Sequence, residues 1–174
     1  NVKLRTRTTV QGLYDGNLAV LVERRDHLKP DSRKGQPRQV LVSLRCKAIV
    51  HATGAIERPL VFSNNDRPGV MLAGALRSYL NRFAVAPEKR AVIATNNDTA
   101  YGTAIDLARA GVAVTIADHR DSVAPDIVAR AAAHGVAVFP ATGIADVEGS
   151  RSLTHVRLSG SGAASIGCDA LGMS

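Results

Sequence analysis

The sequence predicts an α/β protein with a Rossmann-like parallel three-layer nucleotide-binding fold and an added antiparallel β-meander. One observation is the order strand, helix, strand, helix, strand over residues 88–140. Another is a pair of similar apolar runs on either side of this unit, at 46–54 and 168–174. We interpret each run as a segment in which the chain crosses from one domain to the other. A domain inserted between two such crossings is typical of flavoproteins that have two dinucleotide-binding domains.

The meander is predicted from three β-rich runs near the start of the sequence, at 6–11, 18–23 and 39–45. The first two runs are separated by Tyr14-Asp15-Gly16-Asn17, which has strong turn chemistry. Residues 26–38 are rich in proline, glycine and charge, and they predict an exposed loop before the third strand.

Four segments follow from this reading. Residues 1–62 are expected to form a partial first dinucleotide-binding domain, which ends in a crossing strand at 47–52 that is buried on both faces. Residues 63–87 form a linker with one helix, and 88–162 form the nested Rossmann-like domain. Residues 163–174 are expected to return as a strand to the first domain, so the chain looks like a piece of a larger enzyme.

The nested domain has clear helix and strand boundaries. Gly111 is placed to end a helix that begins near Thr99, and Pro125 is placed at the first position of the next helix, which Gly135 ends. The three strands are expected to lie in the order 3-2-1, since crossovers between parallel strands are right-handed. A second hairpin is expected to join residues 144–147 to 154–158.

Composition and charge exclude several classes of protein. Lys and Arg outnumber Asp and Glu by 22 to 15, and the excess lies in residues 1–90. With three Tyr, three Phe and no Trp, a stacking platform for nucleic acid is not expected, and the basic half indicates a solvated or partner-facing surface. No apolar run is long enough for a membrane span, and no leader is visible. Reduced cysteines at 46 and 168 complete the pattern expected of a cytoplasmic protein.

The glycine fingerprint of a dinucleotide site is absent from the nested domain. Its three glycine positions hold Thr95, Asn97 and Ala100. The side chain of Asn97 occupies space that a pyrophosphate would need. Asp98 brings a negative charge to the helix end that would attract phosphate, and it is expected to cap that end itself. The loop therefore indicates a nucleotide site that has degenerated.

Asp118 keeps a different element of such a site. It ends the second strand 21 residues after Asn97, close to the spacing of the acid that binds a ribose, although a turn or helix cap is the favoured explanation. Asn96, Asn97 and Asp118 are thus the candidate residues of a degenerate second site. His119 and Arg120 would suit a 2′-phosphate, so NAD and NADP stay open. No pattern in the sequence predicts catalytic or metal-binding residues.

Two segments carry a family resemblance. The stretch ATGAIERPLVF at 52–62 and the stretch NDRPGVM at 65–71, together with the TNND loop at 95–98, closely resemble the α subunits of heterotetrameric sarcosine oxidases. Subunits of opine oxidases and of hydrogen cyanide synthase share the ATGA-x-ER and PGVM elements. The family resemblance extends over essentially the whole chain.

The resemblance implies an oxidoreductase complex that demethylates sarcosine to glycine and makes hydrogen peroxide. In that family FAD is bound by the β subunit, FMN at the α/β interface, and NAD by the first domain of the α subunit. Carried over to this sequence, Val10, Thr53 and Gly54 are the expected contacts of the NAD. The partners would be the other subunits and the remainder of the α subunit. The chain itself is then expected to be a non-catalytic domain that binds no cofactor of its own.

Two alternatives stay open at this point. The first is an NAD(P)-binding domain of an opine oxidase or of another amine-oxidising flavoenzyme. The second is a module whose basic half docks an acidic partner.

Overall fold

A computed structural model describes residues 2–25, 35, 37–87 and 89–174, and the chain divides into two compact units, Asn1–Gly54 and Ala55–Ser174. The elements in chain order are β1 (Thr8–Tyr14), β2 (Leu18–Arg24), β3 (Gln39–Arg45), β4 (Val70–Leu72), α1 (Ala73–Phe83), β5 (Arg90–Thr95), α2 (Thr99–Arg109), β6 (Ala113–Asp118), α3 (Pro125–Ala132), β7 (Ala137–Phe139), β8 (Thr142–Glu148), β9 (His155–Gly160), β10 (Ser165–Gly167) and β11 (Ala170–Met173).

The first unit contains the predicted meander, an antiparallel sheet in the order β1-β2-β3. Tyr14 pairs with Leu18 at the end of the first hairpin. Gly16 and Asn17 adopt left-handed backbone angles, with φ of 70° and 54°, which is why turn residues are required there. The loop predicted at 26–38 lies for the most part outside the described residues.

The second unit is built on a five-stranded parallel sheet in the order β4-β11-β5-β6-β7, so the predicted order of the three nested strands is confirmed. Side chains alternate across this sheet. On β5, Ala91 and Ile93 pack in a core under the helices. Val92 and Ala94 face the opposite side, where they pack against residues of the antiparallel sheet β8-β9-β10. The second unit therefore has three layers: the helices, the parallel sheet and the antiparallel sheet β8-β9-β10.

The crossing strand expected at 47–52 is not formed. These residues have no helical or strand structure, and Val50 is 88% exposed. A parallel strand buried on both faces needs a neighbouring strand for its backbone hydrogen bonds and layers to cover its side chains. Among the described residues, no strand pairs with this segment.

The return strand and the linker also differ from expectation. β11 does not leave for the first unit: it lies between β4 and β5, with Leu171 opposite both Val70 and Val92. The helix of the predicted linker, α1, contributes Ala73 and Leu76 to the core under the helices. Residues 63–87 and 163–174 are therefore parts of the second unit. For β11 the physical reason is that pairing with β5 satisfies its backbone hydrogen bonds.

Three further observations concern the whole of the described chain. None of its helices combines the length and the apolar character needed to cross a lipid bilayer. Nor does any group of three His, Cys, Asp or Glu side chains in these ranges come together as a metal site. Cys46 and Cys168 are both free thiols.

Candidate functional site

The candidate second site lies at the carboxyl edge of the parallel sheet. β5 and β6 run side by side in register, with Thr95 opposite Asp118, so the loop that follows β5 lies next to the end of β6. The loop leads directly into the first turn of α2 at Thr99. Asn96, Asn97 and Asp118, predicted from the sequence as one group, therefore do meet at this edge.

The side chain of Asn97 caps the N-terminal end of α2 from the position before the N-cap residue, Asp98. Its side-chain oxygen accepts a hydrogen bond of 3.1 Å from the backbone N–H of Thr99, one of the donors that a helix leaves free at its start. The Asn97 amide nitrogen donates to the hydroxyl of Ser174 at 3.2 Å. The Thr95 hydroxyl oxygen in turn accepts the backbone N–H of Asn97 at 3.0 Å. Asn97 is thus fixed as the cap of α2.

The expectation that the Asp98 carboxylate caps the helix is wrong. Asp98 is the N-cap residue by position, but its side chain makes no capping hydrogen bond. Its backbone is already close to helical, with φ of −78° and ψ of −20°, whereas a capping side chain needs an extended residue. The carboxylate instead accepts a hydrogen bond of 2.7 Å from Nη1 of Arg120.

Asp118 is fully buried at the end of β6 and accepts four hydrogen bonds. The Tyr101 hydroxyl donates to it at 2.8 Å. Arg120 donates to it from Nε at 3.0 Å, from Nη2 at 2.7 Å and from its backbone N–H at 3.0 Å. Burial opposes ionisation of Asp118, but the hydrogen bonds from Arg120 and Tyr101 outweigh it and hold the pKa of the carboxyl below its ordinary value.

The same contacts act on the two donors. Burial and the hydrogen bond to Asp118 raise the pKa of the Tyr101 phenol well above its ordinary value. Hydrogen bonds to Asp118 and to Asp98 raise the pKa of Arg120. At neutral pH the Tyr101 phenol is therefore neutral, the Arg120 guanidinium is charged, and Asp118 is a carboxylate.

These residues do not fit a dinucleotide. A pyrophosphate needs free backbone N–H groups and little side-chain bulk at the helix start. Here Asn97 takes the Thr99 N–H, and Asp98 adds a carboxylate that is 57% exposed. A ribose needs an acceptor at the end of the second strand, but the Asp118 carboxylate is buried beneath Tyr101 and Arg120.

A cavity of about 240 Å³ opens beside the loop at the same edge of the sheet. Residues from three regions surround it, namely the ends of β5 and β6, the start of β8 with β9, and the segment before β4. The lining residues are Leu60, Val61, Phe62, Ala94, Thr95, Asn96, Ala117, His119, Thr142, Gly143, Ile144 and Ser159.

The three residues expected to contact NAD in a first domain belong to the other unit. Val10 lies on β1 and is 54% exposed. Thr53 and Gly54 lie in the exposed segment after β3, outside any strand. At Gly54, φ is +73°, and an added Cβ would meet no heavy atom of the described residues within 4 Å.

Sequence reasoning missed two residues of the second site, Tyr101 and Ser174, and it gave Arg120 a different role. Tyr101 sits on the buried face of α2, where its apolar ring resembles any core residue of a helix. Ser174 reaches Asn97 from a distance of 77 residues in sequence, which no local pattern records. Arg120 was expected to suit a 2′-phosphate, but its guanidinium donates to the carboxylates of Asp118 and Asp98. The sequence offered a signal for this, since a basic residue two positions after a strand-end acid can turn back onto it.

Three curated relatives decide the family. The chain is 46% identical to sarcosine oxidase subunit alpha of Corynebacterium sp. (strain P-1) over 147 residues, which are 84% of this chain and 15% of that protein. The same subunit of Corynebacterium sp. (strain U-96) is 43% identical over the same coverage, and that of Rhizobium meliloti (strain 1021) is 46% identical over 75% of this chain and 13% of its own length. This chain belongs to the sarcosine oxidase α-subunit family. It spans about 15% of the length of these relatives.

Solved structures confirm the predicted fold class. An NAD-dependent persulfide reductase from A. fulgidus matches 99% of this chain and 31% of its own length, with a TM-score of 0.60 at 15% identity. The thioredoxin reductase of T. acidophilum matches 70% of this chain and 41% of its own, with a TM-score of 0.57 at 16% identity. At these identities the likeness concerns the fold alone. No protein-family model matches the chain.

Proposed function

We propose that this chain is a segment of the α subunit of a sarcosine oxidase-type complex, which oxidises sarcosine to glycine and forms hydrogen peroxide. The support is the sequence identity of 43–46% to three such subunits over most of the chain. In this proposal the other subunits and the remainder of the α subunit are its partners. NAD in the α subunit, and FAD and FMN in the complex, are the cofactors.

Within that subunit, we propose that the unit Ala55–Ser174 is a structural, non-catalytic Rossmann-like domain that binds no dinucleotide. The observation that carries this is the capped start of α2, where the Thr99 N–H is bonded to Asn97 and the Asp98 carboxylate is bonded to Arg120. The negative charge of Asp98 at the start of α2 is unfavourable to a phosphate, and the Thr99 N–H that would bind it is already bonded to Asn97. Val10, Thr53 and Gly54 remain the proposed NAD contacts, in the first unit.

The domain proposal is tested by titrating the 174-residue chain with NAD, NADP and FAD while recording amide chemical shifts. We expect no saturable shift at Asn97, Thr99 or Asp118 with any of the three. Saturable binding at micromolar concentration with shifts at these residues would overturn the structural role. It would favour an NAD(P)-binding domain instead.

The proposal for the whole complex needs a separate experiment. The full-length α subunit that contains this sequence is produced with its partner subunits, and hydrogen peroxide formation is measured with sarcosine and with opines. Oxidation of sarcosine with the higher kcat/KM supports the proposal. A higher kcat/KM with an opine would assign the subunit to an opine oxidase.

A further inference from the structure

The cavity at the carboxyl edge of the sheet has the position of a ligand site. Open parallel sheets bind their ligands outside the carboxyl ends of the strands, at the point where the strand order reverses. β5 has β6 on one side and β11 on the other, and its end forms part of the cavity wall with Ala94, Thr95 and Asn96. The closed phosphate position of Asn97 and Asp98 adjoins this wall but does not fill the cavity.

The cavity has one apolar and one polar end. Ala94 and Ala117 are almost fully buried and form its floor, and Leu60, Phe62 and Ile144 provide apolar walls that are partly exposed. Asn96, His119 and Ser159 are exposed residues, so the polar end opens to solvent. A ligand would therefore bury an apolar body and keep a polar edge at the mouth.

The polar groups at the mouth are available for a ligand. In the part of the chain that the structure describes, no hydrogen bond engages the Asn96 amide nitrogen, the His119 ring or the Ser159 hydroxyl. The deeper polar side chains are already satisfied: the Thr95 hydroxyl is bonded to Asn97, and the Thr142 hydroxyl to Pro140 and Gly162. Three unused groups around one apolar cavity are the arrangement that orients a bound ring.

Charge and volume limit the class of ligand. Among the residues that the structure describes, the lining includes no Asp, Glu, Lys or Arg that would neutralise a fully charged group. Pockets for drug-sized ligands have volumes of about 300–1,000 Å³. At about 240 Å³ this cavity is smaller, and a single ring system fills it better than a nucleotide. The exposed carboxylate of Asp98, two residues after the lining residue Asn96, disfavours a phosphate tail.

We propose that this cavity binds a neutral heteroaromatic ring, of purine size or smaller, whose polar edge is held by Asn96, His119 and Ser159. The apolar walls cover the faces of the ring, and the three free polar groups contact its nitrogen atoms or carboxamide. This ligand site goes beyond the structural role proposed above. The two proposals share one premise, that Asn97 and Asp98 close the start of α2 to a phosphate.

Nicotinamide and adenine are the probes, each titrated into the 174-residue chain with amide and methyl chemical shifts as the readout. We expect saturable shifts at Asn96, His119, Ser159 and Ile144 with at least one probe. Cyclohexanecarboxamide, a saturated counterpart of nicotinamide, is expected to bind clearly more weakly. AMP is expected to bind no more tightly than adenine, since the phosphate gains no partner.

Two variants test the assignment of the cavity. His119→Ala removes one polar contact and should weaken binding by about threefold to tenfold. Gly143→Val places a side chain where its Cβ would lie 3.2 Å from His119 Nδ1 and 3.3 Å from Ser159 Oγ, and should abolish binding. His155→Gln is the matched control, because His155 lies on β9 but does not line the cavity. Thermal unfolding of each variant checks that it is folded.

No saturable shift with either probe would overturn the proposal, and so would full affinity in a folded Gly143→Val chain. Equal binding of cyclohexanecarboxamide would overturn the aromatic class. These failures leave the structural role untouched, since that role is overturned only by NAD, NADP or FAD bound at Asn97, Thr99 and Asp118.

Discussion

The Tyr101 hydroxyl donates a 2.8 Å hydrogen bond to the Asp118 carboxylate, and neither side chain is exposed to solvent. This contact ties the first turn of α2 to the end of β6. Together with Arg120, it converts the position of a ribose-binding acid into a buried structural centre. The conversion can be tested through stability, because a buried acceptor that loses a donor is costly.

Tyr101→Phe removes the phenol oxygen and keeps the ring in the core. We expect the free energy of unfolding in urea to fall by about 1–3 kcal/mol, because the charged acceptor loses a buried donor. Tyr79→Phe is the control, since Tyr79 is 50% exposed and its hydroxyl makes no hydrogen bond within the described chain. Equal stability of the two variants would contradict this account of Asp118.

The depressed pKa of Asp118 predicts a particular pH dependence. A carboxyl whose pKa is lower in the folded state contributes stability that is present above its unfolded pKa, near 3.8, and is lost as pH falls through the folded value. Asp118→Asn lacks this contribution. We expect the difference in unfolding free energy between the wild type and Asp118→Asn to shrink as pH falls from 6 to below 3.8.

The control for this pH series is Asp121→Asn, which changes an exposed acid three residues away. Its difference from the wild type should stay small across the same range. A difference for Asp118→Asn that is constant with pH would show that the carboxyl has the same pKa in both states.

Cys168 should be protected from alkylation in the folded chain. It is 1% exposed, and burial, with the charge of Asp169, raises the pKa of its thiol to about 12. At pH 8 the thiolate fraction is then on the order of one in ten thousand, and only the thiolate reacts. Iodoacetamide followed by mass spectrometry should modify the partly exposed Cys46 first. In urea both should react, and equal rates without urea would contradict the burial of Cys168.

Reopening the start of α2 should restore weak nucleotide binding. Asn97→Gly with Asp98→Ala frees the Thr99 N–H and removes the carboxylate that Arg120 now holds. We expect NAD affinity to rise from undetectable to weak but measurable by calorimetry. Asp121→Ala, a nearby exposed acid, should leave the chain without affinity. A folded double variant that still binds nothing would mean that other side chains close the site.

The nested unit could be predicted from the sequence because its signals are local. Gly111 and Gly135, both with positive φ, end their helices as expected, and Pro125 begins α3. Because side chains alternate along a strand, the four residues Ala91 to Ala94 of β5 are enough to assign the two faces of the sheet. The absence of the glycine fingerprint in the loop after β5 is likewise visible in the sequence, because it requires no partner from another segment.

The errors concern pairing between distant segments. Residues 47–52 and 170–173 are similar apolar runs, but the first forms no strand and the second pairs with β5, and composition cannot separate those outcomes. Asn97 and Asp98 are both residues that cap helices, so backbone angles and not residue types decide which one does so. The partners of Asp118 could not be predicted, because Tyr101 approaches it from another element.

The insertion of β11 between β4 and β5 has a consequence for the order of folding. Arg90 and Asp169 are joined by a 2.8 Å hydrogen bond although 79 residues separate them, so the middle of the sheet is completed last during synthesis. Until residues 170–173 emerge from the ribosome, β5 presents an unpaired edge to other chains. Closure across so long a loop slows folding, and truncation before Ala170 would make this sheet an aggregation hazard.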